Sequence, residues 1–205
     1  KLGKAEVLAV QNKDNDLFRL SFRYKIGTFN DLKMGLAAQY IQFLGTDKKS
    51  AEQISKEFYK IASSFRVSTG EDYTYVNIEG LQENFAAAVA LYEDLVSHVK
   101  LDEEALKSLK ARMAKYRTDV KANRNQIMQA LTSYALYGPK NKYNHVLSNA
   151  ELEATSAAEL VDRLKKLNDV EQTIIYYGPA SVSELTKQLG KIHKVPAKFA
   201  KVPQA

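Results

Sequence analysis

The chain has 205 residues, is 45% hydrophobic and 26% charged, and carries a net charge of +6. That is the profile of a globular chain long enough to bury one sizeable core. The absence of cysteine excludes disulfides and thiolate metal sites, no apolar run approaches the roughly 18–20 residues of a membrane span, and the positive surplus is modest for nucleic-acid binding. Neither a membrane nor a nucleic acid is therefore expected as a partner. The sequence opens on Lys1 without a signal-peptide pattern and is expected to be a piece cut from a longer protein.

Residues 4–11 predict a short strand, and Asn12 to Asp16 a turn. Over 17–27, Phe18, Leu20, Phe22, Tyr24 and Ile26 alternate with Leu17, Arg19, Ser21, Arg23 and Lys25, the pattern of a half-buried strand. Helical periodicity follows Asp31, with Leu32, Leu36, Tyr40 and Phe43 on one stripe and Gly45 as the stop. Ser50 with Gln53 is a capping box for a second helix buried through Ile54, Phe58 and Ile61. Residues 65–69 and 73–79 predict two strands around Gly70.

A third helix is predicted over 82–98, buried through Phe85, Val89, Tyr92 and Val96. Asp102 opens a long fourth helix whose Leu106, Leu109, Met113, Tyr116 and Val120 step by three and four, a packing stripe. Another helix spans about 126–137 and stops at Gly138-Pro139, followed by a loop through Asn144. Ser156 and Glu159 cap a helix to about Leu167, residues 172–177 form a strand, and a last helix runs over about 181–189. The tail from His193 has two prolines and no period, so 193–205 is expected to be a linker after a single domain over 1–192. There is no internal repeat and no low-complexity segment. Strands and helices in this order predict an α+β fold, with helices on one face of a mainly antiparallel sheet.

The chemistry-bearing residues are sparse. None of His98, His145 and His193 is expected to have the His or acid partner, four residues away on a helix, that builds a zinc site. A Ser-His-Asp triad stays open because its members can lie far apart, but no Gly-x-Ser-x-Gly elbow is present. No Gly-x-x-x-x-Gly-Lys or Gly-x-Gly-x-x-Gly phosphate loop is present either. The cations Lys107, Lys110, Arg112, Lys115, Arg117, Lys121 and Arg124 could bind an acidic partner, but are expected to be the solvated side of an amphipathic helix.

Five stretches, in order, carry a resemblance: FLGTDKKSAEQISKEF, GEDYTYVNIEG, LDEEALKSLK, YALYGPKNKYNHVL and QTIIYYGPASVSELTKQL. Over nearly all of residues 4–190 the chain resembles a domain of the pitrilysin/insulinase family of zinc metallopeptidases, the inverzincins, which share their fold with mitochondrial processing peptidase. Active members carry His-x-x-Glu-His on the first helix. Histidines four apart face the same way and hold zinc, and the Glu is general base to the metal-bound water. Counted back from Gly45-Thr46, the motif falls on 36–40, which here reads Leu36-Ala37-Ala38-Gln39-Tyr40. Leu36 and Tyr40 replace the histidines. Gln39 replaces the base and cannot accept its proton. The family's third ligand, a Glu on the long helix, falls at Lys115 or Tyr116, with Asp119 about one turn away.

The resemblance therefore implies a non-catalytic, inactive peptidase domain that holds no metal or cofactor. Its catalytic half, fused or separate, would carry the zinc and be its partner. It implies a role as chamber wall that shapes and size-limits peptide substrates, with Arg66, Val67, Ser68 and Thr69 as the strand a peptide could join by β-addition. It further implies a bacterial periplasm or cell-envelope location. Two other readings stand beside it: a stand-alone scaffold or binding protein of the same fold, and an independent enzyme with an unrecognised site, which a strongly perturbed acid–base pair in a cleft would signal.

Overall fold

The computed structural model describes residues 1–204. Five strands, β1 (Glu6–Gln11), β2 (Leu17–Tyr24), β3 (Ser64–Thr69), β4 (Thr74–Leu81) and β5 (Gln172–Gly178), form one sheet in the order β1-β5-β2-β4-β3. Every neighbouring pair is antiparallel except β1 with β5. Alternation decides which side of the sheet is covered. Phe18, Leu20, Phe22 and Tyr24 of β2, Val76 and Ile78 of β4, and Ile174 and Tyr176 of β5 are all buried on one face. Arg19 and Glu79 pair across the other face at 2.7 Å and stay exposed. The single parallel pair joins strands at opposite ends of the sequence.

The helices are α1 (Met34–Tyr40), α2 (Ala51–Lys60), α3 (Phe85–His98), α4 (Glu103–Ala122), α5 (Arg124–Tyr137), α6 (Asn149–Ala154), α7 (Ala157–Lys165) and α8 (Val182–Ile192). Capping boxes start four of them: Ser50 with Gln53, Ser148 with Glu151, Ser156 with Glu159, and Ser181 with Glu184. Each box satisfies two backbone N–H groups that the first helical turn leaves free. α3 is buried against the sheet through Phe85, Val89, Tyr92 and Val96, with Phe85 packed edge-on against Phe18 at 4.9 Å. The α+β architecture, with helices on one face of a mostly antiparallel sheet, is the one the strand and helix order predicts.

Four expectations need correction. Residues 149–154 form a short helix, α6, where no element was predicted; its six residues are too few to show a period. Gly45 is required by a close approach rather than a left-handed cap: a Cβ there would run into the Lys49 carbonyl oxygen. The α4 stripe is buried only at Leu106 and Leu109, while Tyr116 is 62% exposed. Finally, 193–204 is not a free linker. His193 is 2% exposed, Val195 and Val202 pack on the core, Ala200 N–H donates to the Asp169 carbonyl, and the Asn30 amide donates to the Pro203 carbonyl. A segment without periodicity can still be held by individual contacts. Ala205 lies outside the described residues.

Candidate functional site

The helix that would carry a metal motif is fixed at both ends. At its start, Arg163 on α7 contacts Asp31 at 2.7 Å and Lys33 contacts Glu159 at 2.8 Å. The Lys33 ammonium and the Ser156 backbone hold the Glu159 carboxyl down from its ordinary 4.5 to about 2. At its end, the Tyr40 hydroxyl donates to the Asp102 carbonyl at 2.6 Å and accepts from the Asp102 N–H at 2.8 Å. Burial pushes the Tyr40 phenol up from its usual range, against the pull of the Asp102 backbone hydrogen bond. Just beyond, the Thr46 hydroxyl accepts from the N–H groups of Lys48 and Lys49, and Gly45 accepts from the Lys100 N–H. The Gly-Thr passage is thus a structural turn that also ties the end of α1 to the entry of α4.

The three motif positions meet different surroundings. Leu36 and Tyr40 are 2% and 0% exposed. Gln39 is exposed, with its amide near the Gly35 carbonyl at 3.4 Å. Leu36 and Gln39 border a cleft of about 630 Å³ whose opposite wall includes Met113 and Tyr116 of α4. Of the two positions aligned with the third ligand, Tyr116 lines this cleft and Lys115 does not. Tyr40 turns instead to the start of α4. The groups that surround the cleft offer hydroxyl, amide, imidazole and apolar surface and the cations Arg117, Lys121 and Lys142, with no carboxylate among the described residues that line it. No group of three or more His, Asp or Glu side chains able to hold a metal occurs among the described residues.

The edge-strand candidates lie where the resemblance puts them in sequence. β3 is the terminal strand of the sheet beside β4, and α1 packs on it. Val67 is 4% exposed and Thr69 donates to the Met34 carbonyl at 3.4 Å, whereas Arg66 and Ser68 are on the other side of the strand. The outer side of β3 is not paired with another strand among the described residues.

The histidines divide by environment. His98 does have an acid four residues away: its Nδ1 is 3.0 Å from Asp94, an exposed pair without a third ligand, which corrects the expectation of no such partner. His145 lines the cleft, edge-on to Phe29 at 5.2 Å, with Nε2 3.2 Å from the Thr28 carbonyl. His193 is buried between Glu93 at 2.7 Å and Gln172 at 2.9 Å. Glu93 also accepts from the Asn168 amide at 3.1 Å, so this network fastens the tail to α3 and to the helix-covered face of β5.

Two features escaped the reading of the sequence. The 142–149 loop forms the third wall of the cleft, clamped because Arg117 donates to the Leu147 carbonyl at 2.7 Å and to Asn149 at 2.6 Å. The resemblance of YALYGPKNKYNHVL marks this stretch in the sequence, but not that it walls a cleft. α5 also exposes Met128, Leu131, Tyr134 and Tyr137 by 54–70%. Helical spacing shows that residues three apart, such as Met128 and Leu131, are neighbours on the helix, but not whether anything covers them.

Residues 35–150 match the model of the family described as insulinase (peptidase family M16). Among solved structures, the chain is similar to a peptidase M16 inactive domain from Pseudomonas fluorescens, with a TM-score of 0.79 and 18% identity over 98% of this chain and 51% of that one. It is similar to a mutant of the ferredoxin protease FusC in complex with Arabidopsis ferredoxin, with a TM-score of 0.77 and 16% identity over 97% of this chain and 23% of that one. It is also similar to the periplasmic protease PqqL from Escherichia coli, with a TM-score of 0.76 and 13% identity over 99% and 24%. The chain therefore spans about half or about a quarter of the length of these proteins. A sequence comparison with curated proteins finds no match. With more than half its length matched by the family model and one fold shared with these structures, the chain belongs to the insulinase family, peptidase family M16.

Proposed function

We propose that this chain is a non-catalytic domain of an M16 zinc metallopeptidase, one that forms the chamber wall facing a zinc-bearing half and helps to hold peptide substrates. One observation carries the reading. Within the stretch that matches the family model, Leu36, Gln39 and Tyr40 stand where the resemblance puts the ligands and the base, and Tyr116 lines the cleft together with Leu36 and Gln39. Two histidines, a general base and a carboxylate ligand are what zinc peptidase chemistry requires. Their joint replacement leaves a cleft that can bind but cannot activate water on a metal. The cofactor of the whole assembly, zinc, then belongs to the other half.

The exposed apolar side chains of α5, Met128, Leu131, Tyr134 and Tyr137, support a contact with a partner chain or domain. The unpaired outer side of β3, at Arg66, Val67, Ser68 and Thr69, supports peptide capture by strand addition.

The test is zinc content and peptide cleavage on one sample of the purified chain after incubation with excess metal. We expect negligible zinc per chain and no cleavage. One tightly held zinc, with cleavage lost on chelation, would overturn the proposal. Co-purification with a His-x-x-Glu-His chain, or that motif elsewhere in the same polypeptide, separates the chamber-wall role from that of a stand-alone scaffold.

A further inference from the structure

The charge of the chain is not spread evenly. Residues 112–147 hold Arg112, Lys115, Arg117, Lys121, Arg124, Lys140 and Lys142 against the single acid Asp119, a surplus of six. The net charge of the whole chain is also +6, so everything outside this segment balances to neutral. None of these seven cations pairs with a carboxylate among the described residues, whereas most ion pairs elsewhere join elements across the fold. The segment is also the part that surrounds the cleft. Arg117, Lys121 and Lys142 line it, and its apolar floor is made by Leu32, Leu36 and Met113.

We infer that this cleft binds an extended acidic peptide segment whose apolar side chains seat on Leu32, Leu36 and Met113 while its carboxylates meet Lys121 and Lys142. The inference rests on the proposed non-catalytic role only in that no cleavage follows binding. Three observations lead to it. The former ligand positions now present Leu36 and Tyr116, so the site of a metal has become surface for a side chain. The Tyr116 hydroxyl and the Gln39 amide stand among apolar walls, the composition of a ligand-binding cleft. The uncompensated cations at its rim raise the local concentration of an anionic partner and speed its arrival. A second copy of this chain does not fit that role, because outside the basic segment its surface carries no surplus of acid. A polynucleotide matches the cations, but the aliphatic floor matches apolar side chains rather than a sugar-phosphate backbone.

The test is fluorescence anisotropy with the 205-residue chain and a fluorescein-labelled 12-residue peptide of alternating Glu and Leu. A peptide with every Glu replaced by Gln, and an oligo-dT of 12 nucleotides, are the comparisons. We expect the acidic peptide to bind at least tenfold more tightly than the Gln peptide, and to weaken steeply between low and high salt. The double variant Lys121→Glu, Lys142→Glu should weaken it at least tenfold. The control Lys187→Glu, Lys191→Glu on α8, outside the cleft, should leave it unchanged. Circular dichroism confirms that both variants stay folded, as substitutions of exposed lysines should. Absence of acidic-peptide binding, equal loss in both double variants, or tighter binding of oligo-dT at Lys121 and Lys142 would each overturn the inference. Since the chain is tested alone, failure here leaves the zinc and cleavage result of the proposed function standing, and the reverse also holds.

Discussion

Replacing Tyr40 by Phe tests whether a position that aligns with a zinc ligand has been given a structural task. The ring is fully buried, and Phe keeps its apolar surface. What disappears is the hydroxyl that links the end of α1 to the start of α4. The Asp102 carbonyl retains a partner, since it also accepts from the Leu106 N–H at 3.0 Å. The Asp102 N–H, which donates to Tyr40 at 2.8 Å, has no other acceptor there. Leaving one partly buried donor unmatched costs about 1–3 kcal/mol. At this chain length each kcal/mol moves the melting temperature by about 2–4 °C, so a loss of about 2 kcal/mol lowers Tm by about 4–8 °C. Urea unfolding measures it directly. The midpoint should fall while the slope stays constant, because the surface exposed on unfolding barely changes. Tyr40→His, which puts back the family's ligand type, should lose more than Tyr40→Phe, since an imidazole would sit in the same apolar surroundings without the reach of the phenol. A midpoint unchanged in Tyr40→Phe, or a Tyr40→His variant as stable as the native chain, would show that the position carries no structural link and that the reasoning is wrong.

Further expectations follow from single sites. Restoring the motif with Leu36→His, Gln39→Glu and Tyr40→His should give no stoichiometric zinc by metal analysis, because Tyr116 supplies no third carboxylate; adding Tyr116→Glu is the variant in which binding could appear. Glu159 is held at about 2 in the folded chain against an ordinary 4.5, so the unfolded chain takes up its proton first as pH falls. The stability that Glu159 contributes is complete above about 4.5 and is lost as pH drops towards about 2. Urea midpoints over that window should fall less steeply in Glu159→Gln, which keeps the capping geometry. Removing residues 193–205 should cost at least about 1–3 kcal/mol, since Glu93 and Gln172 each lose the His193 ring from a buried network; an unchanged urea midpoint would restore the linker reading.

Much of the fold was legible because its signals are local. Ser50 with Gln53 and Ser156 with Glu159 announce helix starts within four residues, and the alternation of β2 names Phe18, Leu20, Phe22 and Tyr24 as the covered face. What could not be read is set by partners distant in sequence. The parallel pairing of β1 with β5 needs the whole intervening chain. His193 looks like part of a featureless tail until Glu93 and Gln172 are placed on either side of it. The α4 stripe is continuous in sequence through Val120, but burial stops after Leu109 because the body of the domain ends there. Periodicity shows which residues share a face; it carries no information on how far the neighbouring element extends. The same limit hid the cleft, since Leu36 and Tyr116 become opposite walls only when α1 and α4 are packed.

The resemblance assigns Leu36, Gln39, Tyr40 and Tyr116 to motif positions, and the geometry shows that these residues do not share one environment. Tyr40 sits in the core and ties two helices, so its side chain acts on stability. Gln39 and Tyr116 are at a surface and contribute little to packing. The cations that line this surface, Lys121 and Lys142, meet no acid of the chain, and crowding like charges into 112–147 without compensation works against folding. A domain kept only as a spacer would gain by dispersing or pairing that charge, as Arg19 pairs with Glu79 and Arg163 with Asp31. Its retention around an apolar cleft is accounted for by a partner that supplies the missing negative charge. Tyr40 and the cleft therefore have separate explanations, one within the fold and one outside it, and the Tyr40 and Lys121–Lys142 variants test them independently.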